Sequence, residues 1–77
     1  MKIKEEHYDQ LKNRIDAYLD KYPEINCKDA LENTKLRWSI YWKTGGFSNA
    51  QEYHYLDDSN IDTALKSILR ERINNKY

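Results

Sequence analysis

Asp58, Asn60 and Asp62 stand at positions i, i+2 and i+4, the spacing with which a calcium-binding loop opens. Such a loop needs Gly at its sixth position, for a sharp turn, and Glu at its twelfth, to close on the ion with two oxygens. Counted from Asp58, those positions hold Thr63 and Leu69. The acids therefore read as helix capping. His54 precedes Asp57 and Asp58 by three and four residues, which would bring the three together on a helix. A transition-metal site draws three or four ligands of the His and Cys kind. His7 is far away in sequence, and no second close His or Cys is present. No metal site is expected.

Cys27 is the sole cysteine, so neither an internal disulfide nor a cysteine zinc site can form. A thiol beside an imidazole is a nucleophilic pair. Nothing in the sequence places Cys27 beside His7 or His54, and a lone Cys reads as a small buried apolar group. Gly45-Gly46 is followed by Phe47-Ser48, without the Lys-Ser or Lys-Thr of a phosphate-cradling loop. No catalytic residue and no cofactor site emerges, so the expectation is a non-enzymatic protein.

The cluster that remains is Lys35-Leu36-Arg37-Trp38-Ser39-Ile40-Tyr41-Trp42-Lys43. Basic residues interleaved with aromatics have three readings. They bind single-stranded nucleic acid by stacking and phosphate contact. They form a protein-interface hot spot, where Trp, Tyr and Arg are enriched. Or both Trp residues fill a core while Lys35, Arg37 and Lys43 are solvated. Core and interface can coexist on one helix. The residues expected to meet a partner are Arg37, Trp38, Tyr41, Trp42 and Lys43, with Tyr53 and Tyr55 nearby. A helix-turn-helix outline over the second and third segments is weak. Ser48-Asn49-Ala50-Gln51-Glu52-Tyr53 brings no Lys or Arg to the start of a recognition helix.

Four segments must position these residues. In the first, Tyr8, Leu11, Ile15, Tyr18, Leu19 and Tyr22 form one helical stripe, and Pro23 stops the helix by Lys21 or Tyr22. The second ends at Gly45-Gly46, which supply left-handed geometry. It starts either near Asn26 or Lys28, or later with Thr34 as N-cap. On a continuous helix Leu31, Trp38 and Trp42 share one face while Leu36 and Ile40 lie nearly opposite. A helix apolar on two sides is central or presents one side to a partner. In the third, Ser48 and Gln51 match a capping box for a two-turn helix through Leu56. The fourth carries Ile61, Ala64, Leu65, Ile68, Leu69, Arg72 and Ile73, with Ser59 and Asp62 as cap and fraying after Asn74. No segment alternates like a strand. The expected architecture is all-α, a single domain over residues 1–77, as a compact bundle of three longer helices plus one short helix.

Seventy-seven residues are near the lower limit for a chain folding on one core, and 39% hydrophobic with 34% charged is low for a globular domain but too apolar and too aromatic for a disordered one. Seven Tyr and two Trp offset the shortage of aliphatics, since each buries about 150–250 Å². Thirteen basic and thirteen acidic residues leave a formal net charge of zero, without the basic excess of a general nucleic-acid binder. No stretch approaches the roughly 20 apolar residues needed to cross a membrane. Residues 1–6 hold no apolar run of the signal-peptide kind, so the expected location is the cytoplasm. A chain this small can also complete its core as a homodimer.

Two stretches resemble a pattern in small uncharacterised bacteriophage and prophage proteins. They are Leu36-Arg37-Trp38-Ser39-Ile40-Tyr41-Trp42-Lys43 and Tyr55-Leu56-Asp57-Asp58-Ser59-Asn60-Ile61-Asp62-Thr63-Ala64-Leu65. The pattern sets an Arg-Trp pair on one helix before a Tyr-Leu-Asn/Asp-Asp stretch and an Ile-Asp-Thr-Ala-Leu helix start. Residues 1–33 carry no such signature, and Asn60 stands where the pattern usually has His. The resemblance implies a phage-related source and a compact helical fold, and it carries over no activity. The function expected is a non-enzymatic protein-binding module acting on a host protein, with inhibition of a host defence among its uses. The alternative is a small nucleic-acid-binding regulator.

Overall fold

The computed structural model describes residues 2–46 and 51–75. Helices α1 (Glu5–Lys21), α2 (Cys27–Glu32), α3 (Thr34–Lys43) and α4 (Asp58–Asn75) follow one another, with a single 3₁₀ turn at Gln51–Tyr53. There is no strand among the described residues. The fold is all-α, and α4 packs against each of the other three helices.

In α1 the core side is a row at four-residue spacing, His7, Leu11, Ile15 and Leu19, all buried. Such a row winds slowly around a helix with 3.6 residues per turn and so faces one neighbour throughout. Tyr8 and Tyr18 pack at its margin, whereas Tyr22, expected on the stripe, is exposed beyond the helix end. Helix α4 answers with Ile61, Ala64, Leu65, Ile68 and Leu69, as its sequence pattern predicts. Ala30, Ile40, Tyr41 and Tyr53 complete the core with Ile3.

Both predicted starts of the second segment occur, because Asn33 breaks it in two. Asn26 caps α2 by accepting from the backbone N–H groups of Lys28 and Asp29. Asn33, at extended φ −114° and ψ 108°, is the C-cap of α2 and the N-cap of α3, accepting from Leu36 N–H. The α3 cap is thus Asn33 and not Thr34. A short amide accepts well from the third N–H of a helix, which leaves Thr34 as the first helical residue. Because of this break, Leu31 does not share a continuous helix face with Trp38 and Trp42.

Two other boundaries differ from expectation. Asp57 caps α4, its carboxylate accepting Asn60 N–H at 2.8 Å, so Ser59 lies inside the helix. Over its described residues, 51–56, the third segment is one tight turn and not a two-turn helix. Its bonds run from His54 N–H to Gln51 O and from Leu56 N–H to Tyr53 O, three residues apart. So short a segment cannot recover the cost of nucleating an α-helix. The Ser48 half of the capping box lies outside the described residues. Gly45 and Gly46 close α3 at φ 96° and 52°. At Gly46 a Cβ would stand 3.0 Å from the ring of Tyr41, so a side chain there would both press on that ring and strain the left-handed backbone.

Candidate functional site

Arg37 lies on α3, yet its side chain turns inward and is only 4% exposed. Nη1 donates to the carbonyls of Ala30, at 3.1 Å, and Leu31, at 2.8 Å. Those carbonyls end α2, where the helix dipole is negative and no intrahelical donor remains. Nη2 donates to Thr34 Oγ1, and Nε donates to Asp62 Oδ1 on α4 at 2.8 Å. One planar guanidinium thus ties three helices together, a task its rigid fork of donors suits. Arg37 was expected at a partner surface, and the structure corrects this. Four acceptors at the α2–α3–α4 junction pair the buried guanidinium and so offset the cost of taking it out of water.

Asp62 Oδ1 also accepts from the indole N–H of Trp38 at 3.0 Å, and Lys66 Nζ lies 3.4 Å from Oδ2. Burial pushes the Asp62 carboxyl up, but the hydrogen bond and charge of Arg37, with Trp38 and Lys66, outweigh it. The net result is an acid held below its ordinary value. With Asp62 engaged in this way and Asp57 capping α4, the Asp58, Asn60, Asp62 spacing is occupied by helix chemistry.

Tyr41 and Tyr53 are also corrected from surface to core, at 2% and 7% exposed. Tyr41 is enclosed because the Gly46 backbone covers its ring. Tyr53 is enclosed because the 3₁₀ turn folds it edge-on to His7, ring centres 4.5 Å apart, with its hydroxyl donating to Gln10. Tyr55 remains 40% exposed. Its hydroxyl accepts the Lys4 backbone N–H at 3.0 Å and is hydrogen-bonded to His7 Nδ1 at 2.7 Å.

Trp42 differs from all of these, at 56% exposed. It stands edge-on to Tyr41, ring centres 5.0 Å apart, and 6.3 Å from Trp38, which is half-buried. An open groove of about 240 Å³ begins at these rings. Tyr53, His54 and Leu56 also line it, with Asp58 and Ile61 of α4. Lys43, the residue after Trp42, is exposed but does not line the groove. Of the seven residues expected at a partner surface, Trp38, Tyr41, Trp42 and Tyr53 line the groove, with the two tyrosines buried and Trp42 alone exposed among the four, while Lys43 is exposed outside it. Tyr55 is exposed but does not line the groove.

His54, Leu56, Asp58 and Ile61 were not foreseen as part of this face. The sequence signal for them was slight, since each sits in or beside a connection whose path no periodicity sets. His7 was set aside as remote in sequence. Its spacing of four from Leu11, Ile15 and Leu19 was the signal that it belongs to the core row.

Elsewhere, the Tyr8 hydroxyl donates to Glu71 and is hydrogen-bonded to the Ser67 hydroxyl across the α1–α4 seam, and Arg72 pairs with Asp16 and Asp20. Burial, ahead of the opposing effect of Ser67 and the added effect of Glu71, pushes the Tyr8 phenol up. Cys27 is a free, half-buried thiol at a separate groove of about 350 Å³, where Lys28, Arg72 and Ile73 also stand. Neither His contacts it among the described residues. No group of three His, Cys, Asp or Glu able to hold a metal occurs among the described residues. Among the described residues, no helix is long and apolar enough to cross a membrane.

Fold and site together define a small all-helical protein with one exposed tryptophan at the rim of an aromatic groove. The chain matches no protein-family model, no curated protein and no solved structure.

Proposed function

We propose that the chain is a non-enzymatic protein-binding module whose docking face is Trp42, with Trp38 and the groove beside them. The observation that carries this is the exposure of Trp42 in a protein that encloses Tyr41 and Tyr53 close by. An indole left in water forgoes the transfer free energy of its apolar surface, and Trp is the residue most enriched at interface hot spots.

The likeness of residues 36–43 and 55–65 to phage and prophage proteins supports a phage-derived origin. On that reading the partner is a host protein met in the cytoplasm, and inhibition of a host defence is a use such a module serves. A nucleic-acid role has less support, because Arg37 is committed to Asp62 and the end of α2 and leaves the aromatic face without its central cation.

Affinity capture from a bacterial host lysate tests the proposal, run side by side with wild type and Trp42→Ala. Circular dichroism checks that the variant is folded. A partner retained by wild type and lost by Trp42→Ala is the expected result. Identical partner sets for the two folded proteins would rule the face out, and sedimentation equilibrium shows whether the occupant is instead a second copy.

A further inference from the structure

The groove beside Trp42 has a charge bias that narrows what can enter it. Four of its lining residues are aromatic, namely Trp38, Tyr41, Trp42 and Tyr53. Ring faces carry partial negative charge and attract cations, with indole the strongest of the three aromatic side chains. Among the described residues lining the groove, Asp58 is the one carboxylate, and none is Lys or Arg.

Asp58 is also available. Its neighbours in the helix start are occupied, Asp57 by the Asn60 N–H and Asp62 by Arg37, Trp38 and Lys66. Asp58 is exposed and has no ion-pair partner among the described residues. The positive end of the α4 dipole opposes a cation at this place, and the two acids offset it. The groove at Cys27 has the contrary bias, with Lys28 and Arg72 on its walls.

From this complementarity we infer that the Trp42 groove receives a cationic side chain, Arg or Lys, presented by the partner protein. The cation lies against the exposed indole and pairs with Asp58, while the apolar stem of the same side chain covers Leu56 and Ile61. This inference rests on the reading of the face as a protein-docking site and adds the chemistry of what docks.

The test uses the full chain labelled with ¹⁵N and follows the indole N–H signals of Trp38 and Trp42. The probes are capped tripeptides Leu-Arg-Leu and Leu-Lys-Leu, with Leu-Gln-Leu and Leu-Glu-Leu as neutral and acidic counterparts. The Arg and Lys probes are expected to shift the Trp42 signal saturably, and Asp58→Asn to weaken them by roughly threefold, the size of an exposed ion pair. Added salt should weaken them too. Equal shifts by the Arg, Gln and Glu probes, no shift by any probe, or an unaltered affinity in folded Asp58→Asn would each overturn the inference. Lysate capture lost in Trp42→Ala while the cationic probes fail leaves the docking face standing and removes only the cation. Failure of both experiments removes both.

Discussion

Arg37 Nε and Asp62 Oδ1 lie 2.8 Å apart and join α3 to α4. The same guanidinium accounts for two carbonyls at the end of α2, so the pair is the point at which three helices are held in register. The pair holds α3 together with its core residues Ile40 and Tyr41, and Trp42 stands on the same helix. No buried side-chain polar atom among the described residues lacks a partner, which is the condition for such a network to specify one arrangement.

Replacing Arg37 with Ala should therefore act on stability and not on a surface. It strands the Ala30 and Leu31 carbonyls and leaves Asp62 without its main counter-charge. Removing one member of a buried pair costs about 3–5 kcal/mol, and the partial exposure of Asp62 brings the expectation to about 2–4 kcal/mol. Urea unfolding followed by tryptophan fluorescence measures it. A loss below about 0.5 kcal/mol would mean that water replaces the guanidinium without penalty.

The depressed Asp62 carboxyl sets a pH dependence. A carboxyl whose folded-state value lies below its unfolded value of 3.8 adds stability above that value. The contribution is lost as the pH falls through the lower, folded value. Asp62→Asn should thus be less stable than wild type near neutrality, and the gap should shrink once the pH drops below about 4. Urea midpoints for both proteins from pH 7 to pH 2 give the comparison. A gap that stays constant over that range would show that the carboxylate charge is not what stabilises the junction.

A Tyr55→Phe change removes one hydroxyl that serves two distant groups, the Lys4 backbone N–H and His7 Nδ1. Although Tyr55 is exposed, His7 is not, and the orphaned ring nitrogen has little access to water. The expected loss is about 1–2 kcal/mol. Amide exchange should also accelerate at Lys4, where α1 begins, and leave the middle of α4 unchanged. Unaltered exchange at Lys4 would remove the hydroxyl as the tie between the N-terminus and the segment before α4.

The long helices were legible because their apolar residues recur with helical period and Pro23 and Gly45-Gly46 punctuate them. The break at Asn33 was not, because one Asn inside a helical pattern looks like a solvated residue until its side chain is seen accepting Leu36 N–H. Arg37 misled for a related reason. A lone Arg between Leu36 and Trp38 gives no hint that α2 ends where its side chain can reach. That end is a product of the break. Trp42 was read both as core and as partner surface, because a helix pattern alone does not say which side of α3 its neighbours cover; the structure leaves it exposed.

Trp38 and Trp42 offer the last contrast, since one helix carries both and only their surroundings differ. Trp38 is half-buried and donates to Asp62, so Trp38→Phe loses a charge-assisted hydrogen bond as well as apolar contact. About 1–3 kcal/mol is expected. Trp42 stands more than half in water and donates to no group among the described residues, so Trp42→Phe should cost less than about 0.5 kcal/mol. The two single-tryptophan proteins created by these changes separate the environments directly. Emission from the Trp38→Phe protein, which comes from Trp42, should be red-shifted and readily quenched by acrylamide. Emission from the Trp42→Phe protein should be blue-shifted and protected. A reversal of that order would place Trp42 in the interior and remove it as the indole that α3 offers a partner.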